Sequence, residues 1–469
     1  MASIHKNETE YLGEEIRQVN VRKELYFGYH RLAGNSFPMI YENLVRQDHV
    51  GIAPGTTDQL LVQLLAHCQQ SVPYYEAIMK KVGGNFEYDP EAYLLKLPIL
   101  TKKIIRERFE QLTSIDLDQR KWYINASGGS TGEPVQLIQD RHYRDHVTAL
   151  QQFYSTWTGA EIGASEVYVW GSERDILGGS LGEKWKRFIV NKLVRRTMLN
   201  AFHMTPEMMH EFINLLNTKT PRLIVAYAYV MYELARFAER EKKSIRPQSA
   251  IITSAGMLYP FMREAIERVF QCKVFNRYSS REVGDMAGEC EFHRGLHVFP
   301  WGCYVEIVDE AGHRLPKGTE GNIVVTCLNN LAMPLIRYQL SDRGRLSAES
   351  TCPCGRRGQI LEKVSGRTGD VFRTQDGTLI DGEYFTHILY FRTWVGKFQV
   401  IQKSYSSILF KIKVSEHSYD RAELDDIINK TRAVMGKDCQ VDFEFVEDIP
   451  NISSGKYCFT MSEVSLSST

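Results

Sequence analysis

Between residues 120 and 330, short apolar runs alternate with helical patterns, and this alternation restricts the chain more than any other feature. Val167-Tyr168-Val169-Trp170, Leu223-Ile224-Val225-Ala226 and Ala250-Ile251-Ile252 read as strands, while 205–217, 229–241 and 258–270 carry helical spacing. Strands with no polar face must be covered on both sides. The pattern therefore predicts βα units, a mostly parallel sheet and helices packed against it. Residues 303–310 and 322–327 alternate with period two across a turn-rich segment holding Gly312, Pro316 and Gly318. They predict an antiparallel accessory sheet.

The flanks differ in texture. The first hundred residues read as mainly helical, with Leu60, Leu61, Leu64 and Leu65 at helical spacing after Thr56-Thr57-Asp58. Beyond residue 366, Val371–Thr374 and Thr378–Ile380 flank a hairpin signal at Gln375-Asp376-Gly377. A helix near 382–392, strands within 397–414, a helix over 418–434 and a last strand at 439–446 complete a small α+β unit. The fold class expected is α/β, with a large N-terminal domain over 1–365 and a mobile C-terminal α+β domain over 366–469.

Bulk composition excludes several functions. The 57 Lys and Arg balance the 57 Asp and Glu, so no global field attracts nucleic acid or an anionic membrane. No run of eighteen apolar residues occurs and the first residues lack an apolar signal core, which predicts a cytoplasmic protein without membrane insertion. Nine scattered cysteines argue against a disulfide framework.

An anion site must then be local, and Ser127-Gly128-Gly129-Ser130-Thr131-Gly132-Glu133-Pro134 offers one. Three glycines let a backbone approach a ligand, successive N–H groups form an anion nest, and three hydroxyls add donors. No Gly-Lys-Ser/Thr follows, so this is not a Walker A loop. Composition alone also fits a polar surface loop, although Pro134 stiffens it and the βα setting favours binding. A second constellation is Cys290, His297, Cys352 and Cys354, with His293 as a rival ligand. Three thiolates and an imidazole suit a closed, structural zinc site.

The Gly/Ser loop resembles the phosphate-binding motif of the acyl-adenylate-forming (ANL) enzymes, and further pieces follow in that superfamily's order. They are Thr253–Met257, Asn276–Gly284, Arg337–Asp342, Gly366–Asp370 and Ile452–Lys456. Gly295–Val298, Met333–Tyr338 and Cys352–Arg356 are most similar to the phenylacetate–CoA ligase and CapK-like branch. The loop departs from the pattern in running on as Glu-Pro-Val-Gln without a lysine, and Ser279 stands in place of a glycine.

The resemblance implies an AMP-forming ligase that joins a small carboxylic acid to ATP and passes the acyl-adenylate on, to coenzyme A or else to an amine or hydroxyl. It implies ATP binding by Ser127, Gly128, Gly129, Ser130, Thr131, Gly132, Ala255, Gly256, Asn276, Tyr278, Ser279, Asp342 and Arg367. Tyr278 would face adenine and Asp342 the ribose. Glu282 would hold Mg2+, and Lys456 would stabilise charge developing during adenylation. The Cys/His set would hold a structural Zn2+. A non-catalytic nucleotide-binding protein is the alternative from another class, and the acid, the acceptor and a homodimer are left open.

Overall fold

The computed structural model describes residues 20–50, 55–126, 135–170, 181–201, 206–367, 371–376, 378–390, 392, 394–415, 419–449 and 459–464. The N-terminal part begins with helices Val21–Leu32, Phe37–Val50, Thr56–Ser71 and Pro73–Val82. A hairpin of β1 (Trp122–Ala126) and β2 (Gln136–Asp140) follows. The Asp140 carboxylate then accepts from the Tyr143 N–H and caps the long helix Arg141–Trp157.

The main sheet uses β3 (Glu166–Val169), β4 (Arg196–Leu199), β5 (Leu223–Tyr227), β6 (Ala250–Ser254) and β7 (Lys273–Ser280). It continues through β8 (Gly284–Glu289), β9 (Leu296–Val298), β10 (Cys303–Val308), β11 (Glu320–Cys327), β12 (Tyr338–Leu346) and β13 (Ile360–Arg367). Eleven strands hydrogen-bond in the order β10-β11-β12-β13-β9-β8-β7-β6-β5-β3-β4. From β4 to β7 the pairing is parallel. From β7 to β10 it is antiparallel. The antiparallel strands expected as an accessory sheet thus extend the parallel ones, because β7 bonds to both kinds of neighbour. Its first half pairs with β6 and its second half with β8.

Alternation buries both faces of the parallel strands. Val167, Ile224, Ala226, Ile251 and Val274 enter one core, while Leu223, Val225, Ala250, Ile252 and Phe275 enter the other. Gly288 of β8 is glycine because the Tyr154 ring lies where a Cβ would stand, 2.3 Å from it. The Tyr154 hydroxyl reaches the carbonyls of Asn276 and Glu289 across that gap.

The C-terminal part holds β14 (Val371–Arg373) and β15 (Leu379–Asp381), helix Gly382–Tyr390, β16 (Val395–Ser404) and β17 (Ser407–Val414). Helix Arg421–Met435, β18 (Gln440–Phe445) and β19 (Thr460–Ser462) complete it. Its four-stranded sheet runs β18-β17-β16-β19. The strand expected to be last is therefore followed by β19, a three-residue segment too short to carry a period-two signal. This part shares a continuous apolar core with helix Ala228–Arg240. Tyr384 packs edge-on against Tyr259 and Tyr229, its hydroxyl donating to the Lys430 carbonyl. The Lys430 ammonium lies 2.8 Å from Glu233 and 2.9 Å from Asp426.

Candidate active site and metal centre

A cleft of about 540 Å3 opens where the sheet changes from parallel to antiparallel. The order of the parallel strands also reverses at β3, with β4 and β5 on opposite sides of it, and such a switch point leaves a crevice at the C-terminal ends of the strands where α/β sheets bind ligands. β6 ends here in Ser254, and the next residue, Ala255, has φ +54°. That left-handed conformation is unusual for a residue with a Cβ and turns the backbone of Ala255 and Gly256 along the cleft wall. Ser254 and Ser279 hydroxyls meet at 3.2 Å, tying the ends of β6 and β7 together.

Asn276, Tyr278, Ser279, Glu282 and Asp342 all line this cleft. The Tyr278 hydroxyl donates to the Asp342 carboxylate at 2.5 Å, although 64 residues separate them. Glu282 is 8% exposed, and Tyr338 donates to its Oε1 at 3.4 Å. Its backbone is held from the other side. Gln139 and Asn125 donate to the Arg281 carbonyl, and Tyr143 donates to the Glu282 carbonyl. Asn125 and Gln139 belong to the β1–β2 hairpin, which is closed by residues 127–134. The anchor of Glu282 and the two stems of the Gly/Ser loop are therefore one structure.

Ser127, Gly128, Gly129, Ser130, Thr131 and Gly132 lie outside the described residues, as do Lys456 and residues 368–370. Arg367 is placed by its backbone alone, opposite Asp342 in the β12–β13 ladder. Arg337, inside one of the matched motifs, points away from the cleft. Its guanidinium makes two bonds to the fully buried Glu306 and others to the carbonyls of Leu97 and Gly312. Trp170 and Tyr227 stand side by side on the cleft wall, with ring centroids 4.5 Å apart. The buried pair Arg277 and Asp285 also lines the cleft; Arg277 lies inside the Asn276–Gly284 motif, but neither residue had been given a role.

Outside the cleft, Cys290, His297, Cys352 and Cys354 converge, with ligand atoms all within 4.8 Å of one another. The Cys290 and Cys352 sulfurs are 3.6 Å apart, and Cys354 Sγ is 3.5 Å from His297 Nε2. Tetrahedral bonds of about 2.3 Å place two sulfurs about 3.8 Å apart, so the donors fit one small cation. Burial lowers the His297 pKa to about 4, leaving the imidazole neutral with a lone pair to give. Burial pushes the Cys290 thiol up to about 12, a cost that a bound cation reverses. His293 is turned elsewhere, bonded to Glu289 and Arg263. Of the two candidate histidines the cluster takes His297.

Residues 372–463 match the family described as the CapK C-terminal domain. The Staphylococcus aureus protein CapK is 24% identical over 439 residues, covering 90% of this chain and 92% of its own. Phenylacetate–coenzyme A ligase of Thermus thermophilus is 23% identical over 329 residues, covering 67% of this chain and 70% of the relative. A solved 2-hydroxyisobutyryl-CoA ligase in its postadenylation state superposes with TM-score 0.59 at 18% identity, over 87% of this chain and 89% of that one. Over nine tenths of its length the chain is similar to CapK, and it shares the fold of the solved ligase. This CapK-like chain thus has the fold that the sequence motifs implied. Among its described residues no helix is long and apolar enough to cross a membrane.

Proposed function

We propose that the protein activates a small carboxylic acid with ATP, releasing pyrophosphate and forming an acyl-adenylate that it transfers to the thiol of coenzyme A. The observation that carries this is the joint placement of Tyr278, Asp342 and Glu282 in one cleft, beside the stems of the Gly/Ser loop. Nucleotide chemistry asks for that set: an aromatic face and an acid for the nucleoside, a second acid for the metal, and backbone donors for the phosphates. Glu282 fits Mg2+, since its carboxylate lines the cleft and, among the described residues, accepts one long contact, from Tyr338. The ion would neutralise phosphate charge as pyrophosphate leaves. Lys456 would stabilise the same charge near the α-phosphate, and Asp342, held by Tyr278, would accept from ribose hydroxyls.

An amine or hydroxyl acceptor is the second reading. The Thermus thermophilus phenylacetate–coenzyme A ligase matches 67% of the chain, so likeness to a coenzyme A ligase does not extend over all of it. Acid-dependent exchange of labelled pyrophosphate into ATP tests activation, and product analysis with coenzyme A, amines and sugars separates the acceptors. Glu282→Gln is expected to fold normally and to lose exchange by at least about 100-fold, the scale of one transition-state electrostatic contact. Exchange undiminished in that variant would remove Glu282 from the site.

The Cys/His cluster is read as a structural zinc centre that joins the β8–β9 region to the loop before β13. Freshly purified protein is expected to carry about one zinc per chain. Cys352→Ser and Cys354→Ser should each lower both zinc content and Tm, because the metal's binding energy is folding energy. Metal-free protein with an unchanged Tm would contradict this.

A further inference from the structure

The nucleotide roles proposed above leave out the pair formed by Arg277 and Asp285, which is poorly satisfied. Arg277 is 7% exposed and Asp285 3%, yet they share a single long contact of 3.2 Å between NH1 and Oδ2. A guanidinium has five N–H donors, and the Nε of Arg277 is buried with no hydrogen-bond partner among the described residues. Buried donors without partners are rare in folded chains, and each calls for an explanation, such as a ligand, ion or water that completes it. In β7 the alternation of side chains directs Arg277 away from its neighbour Tyr278, whose hydroxyl is given to Asp342. Both still line the same cleft. The wall around Arg277 is otherwise aromatic. The Trp170 ring lies 6.0 Å from its guanidinium carbon, with Tyr227 against Trp170.

We infer that the acid taken by this cleft carries a neutral hydroxyl or amide group on its tail, and that Arg277 and Asp285 recognise that group. This rests on the acid-activating function proposed above. The buried pair is neutral as a whole, so a second charge brought beside it would be desolvated without a counter-ion. An alkyl tail would leave the guanidinium donors unmet. A hydroxyl or amide meets both halves: its oxygen accepts from Arg277 and its N–H or O–H donates to Asp285, which Gln151 already contacts. Trp170 and Tyr227 would flank the carbon skeleton. Sites built to bond a substrate hydroxyl reject the analogue lacking it far more strongly than apolar pockets sort alkyl groups.

The test is pyrophosphate exchange with sets of acids of equal size whose tails end in hydroxyl, amide, methyl or carboxylate. Wild-type kcat/KM is expected to favour hydroxyl or amide over methyl and carboxylate by at least about 100-fold. Arg277→Met should bring hydroxyl and methyl acids to within about tenfold of each other. Arg277→Lys, which keeps the charge against Asp285 but has no Nε, should retain only part of the preference and serves if the Met variant does not fold. A purely structural ion pair would instead lower Tm in both variants and leave the preference intact, overturning the inference. Equal use of methyl acids by the wild type would also overturn it while leaving acid activation standing. Exchange with no acid in any set would overturn acid activation itself, and this inference with it.

Discussion

Lys456→Ala is expected to reduce acid-dependent pyrophosphate exchange by about 10²–10³, roughly 3–4 kcal/mol of transition-state stabilisation. The residue follows Gly455 near the end of the C-terminal part, in the motif that resembles the catalytic Gly-Lys of adenylate-forming enzymes. A lysine that acts only as charge develops on the phosphate lowers kcat and leaves ATP binding near its original strength. Transfer from a chemically prepared acyl-adenylate to the acceptor should stay within about tenfold of wild type, equivalent to about 1.4 kcal/mol. Comparable loss in both half-reactions would point to a general binding role. Undiminished exchange would take Lys456 out of the mechanism.

Arg337→Ala should act on folding and not on chemistry, costing about 3–5 kcal/mol of stability because Glu306 is left buried and unpaired. Burial already pushes the Glu306 carboxyl above its usual range, with Arg337 opposing that shift. In the variant the opposition is gone, so the folded protein holds the Glu306 proton more tightly than the unfolded chain does. The sign follows: the deficit should be full near neutral pH and shrink as pH falls towards about 4, where the unfolded chain is also protonated. Denaturant melts of Arg337→Ala at several pH values measure this, and Glu306→Leu added to Arg337→Met should recover much of the loss. A normal melt with a depressed exchange rate would instead make Arg337 a cleft residue.

The βα order was legible because strands such as Leu223–Tyr227 are buried on both faces and leave no polar alternation to confuse with a helix. Cys290, His297, Cys352 and Cys354 were legible because so few side chains can share a metal. The convergence of Tyr278 with Asp342 could be anticipated only through motif order, since β7 and β12 are not neighbours in the sheet. Arg277 and Asp285 were not legible. Arg277 sits inside the Asn276–Gly284 motif and Asp285 just beyond it, but nothing in the sequence marks them as a pair, and their burial depends on the β7–β8 pairing that sets Arg277 opposite Gly288. The continuity of parallel and antiparallel strands was also hidden, because one residue run in β7 serves two ladders and carries no mark of either.

The face that joins the two parts of the chain mixes tyrosines with its leucines and phenylalanines. Tyr229, Tyr259 and Tyr384 each have an apolar ring and a hydroxyl that water can satisfy, so wetting that face costs less than wetting the same area of hydrocarbon. Lys430 behaves likewise, since it would keep Asp426 on its own helix if Glu233 moved off. A joint with these properties would part without stranding a charge, and because Lys430 is buried in it salt would weaken its grip little. Turnover limited by the parting of that joint would change little with ionic strength, unlike the capture of anionic substrates.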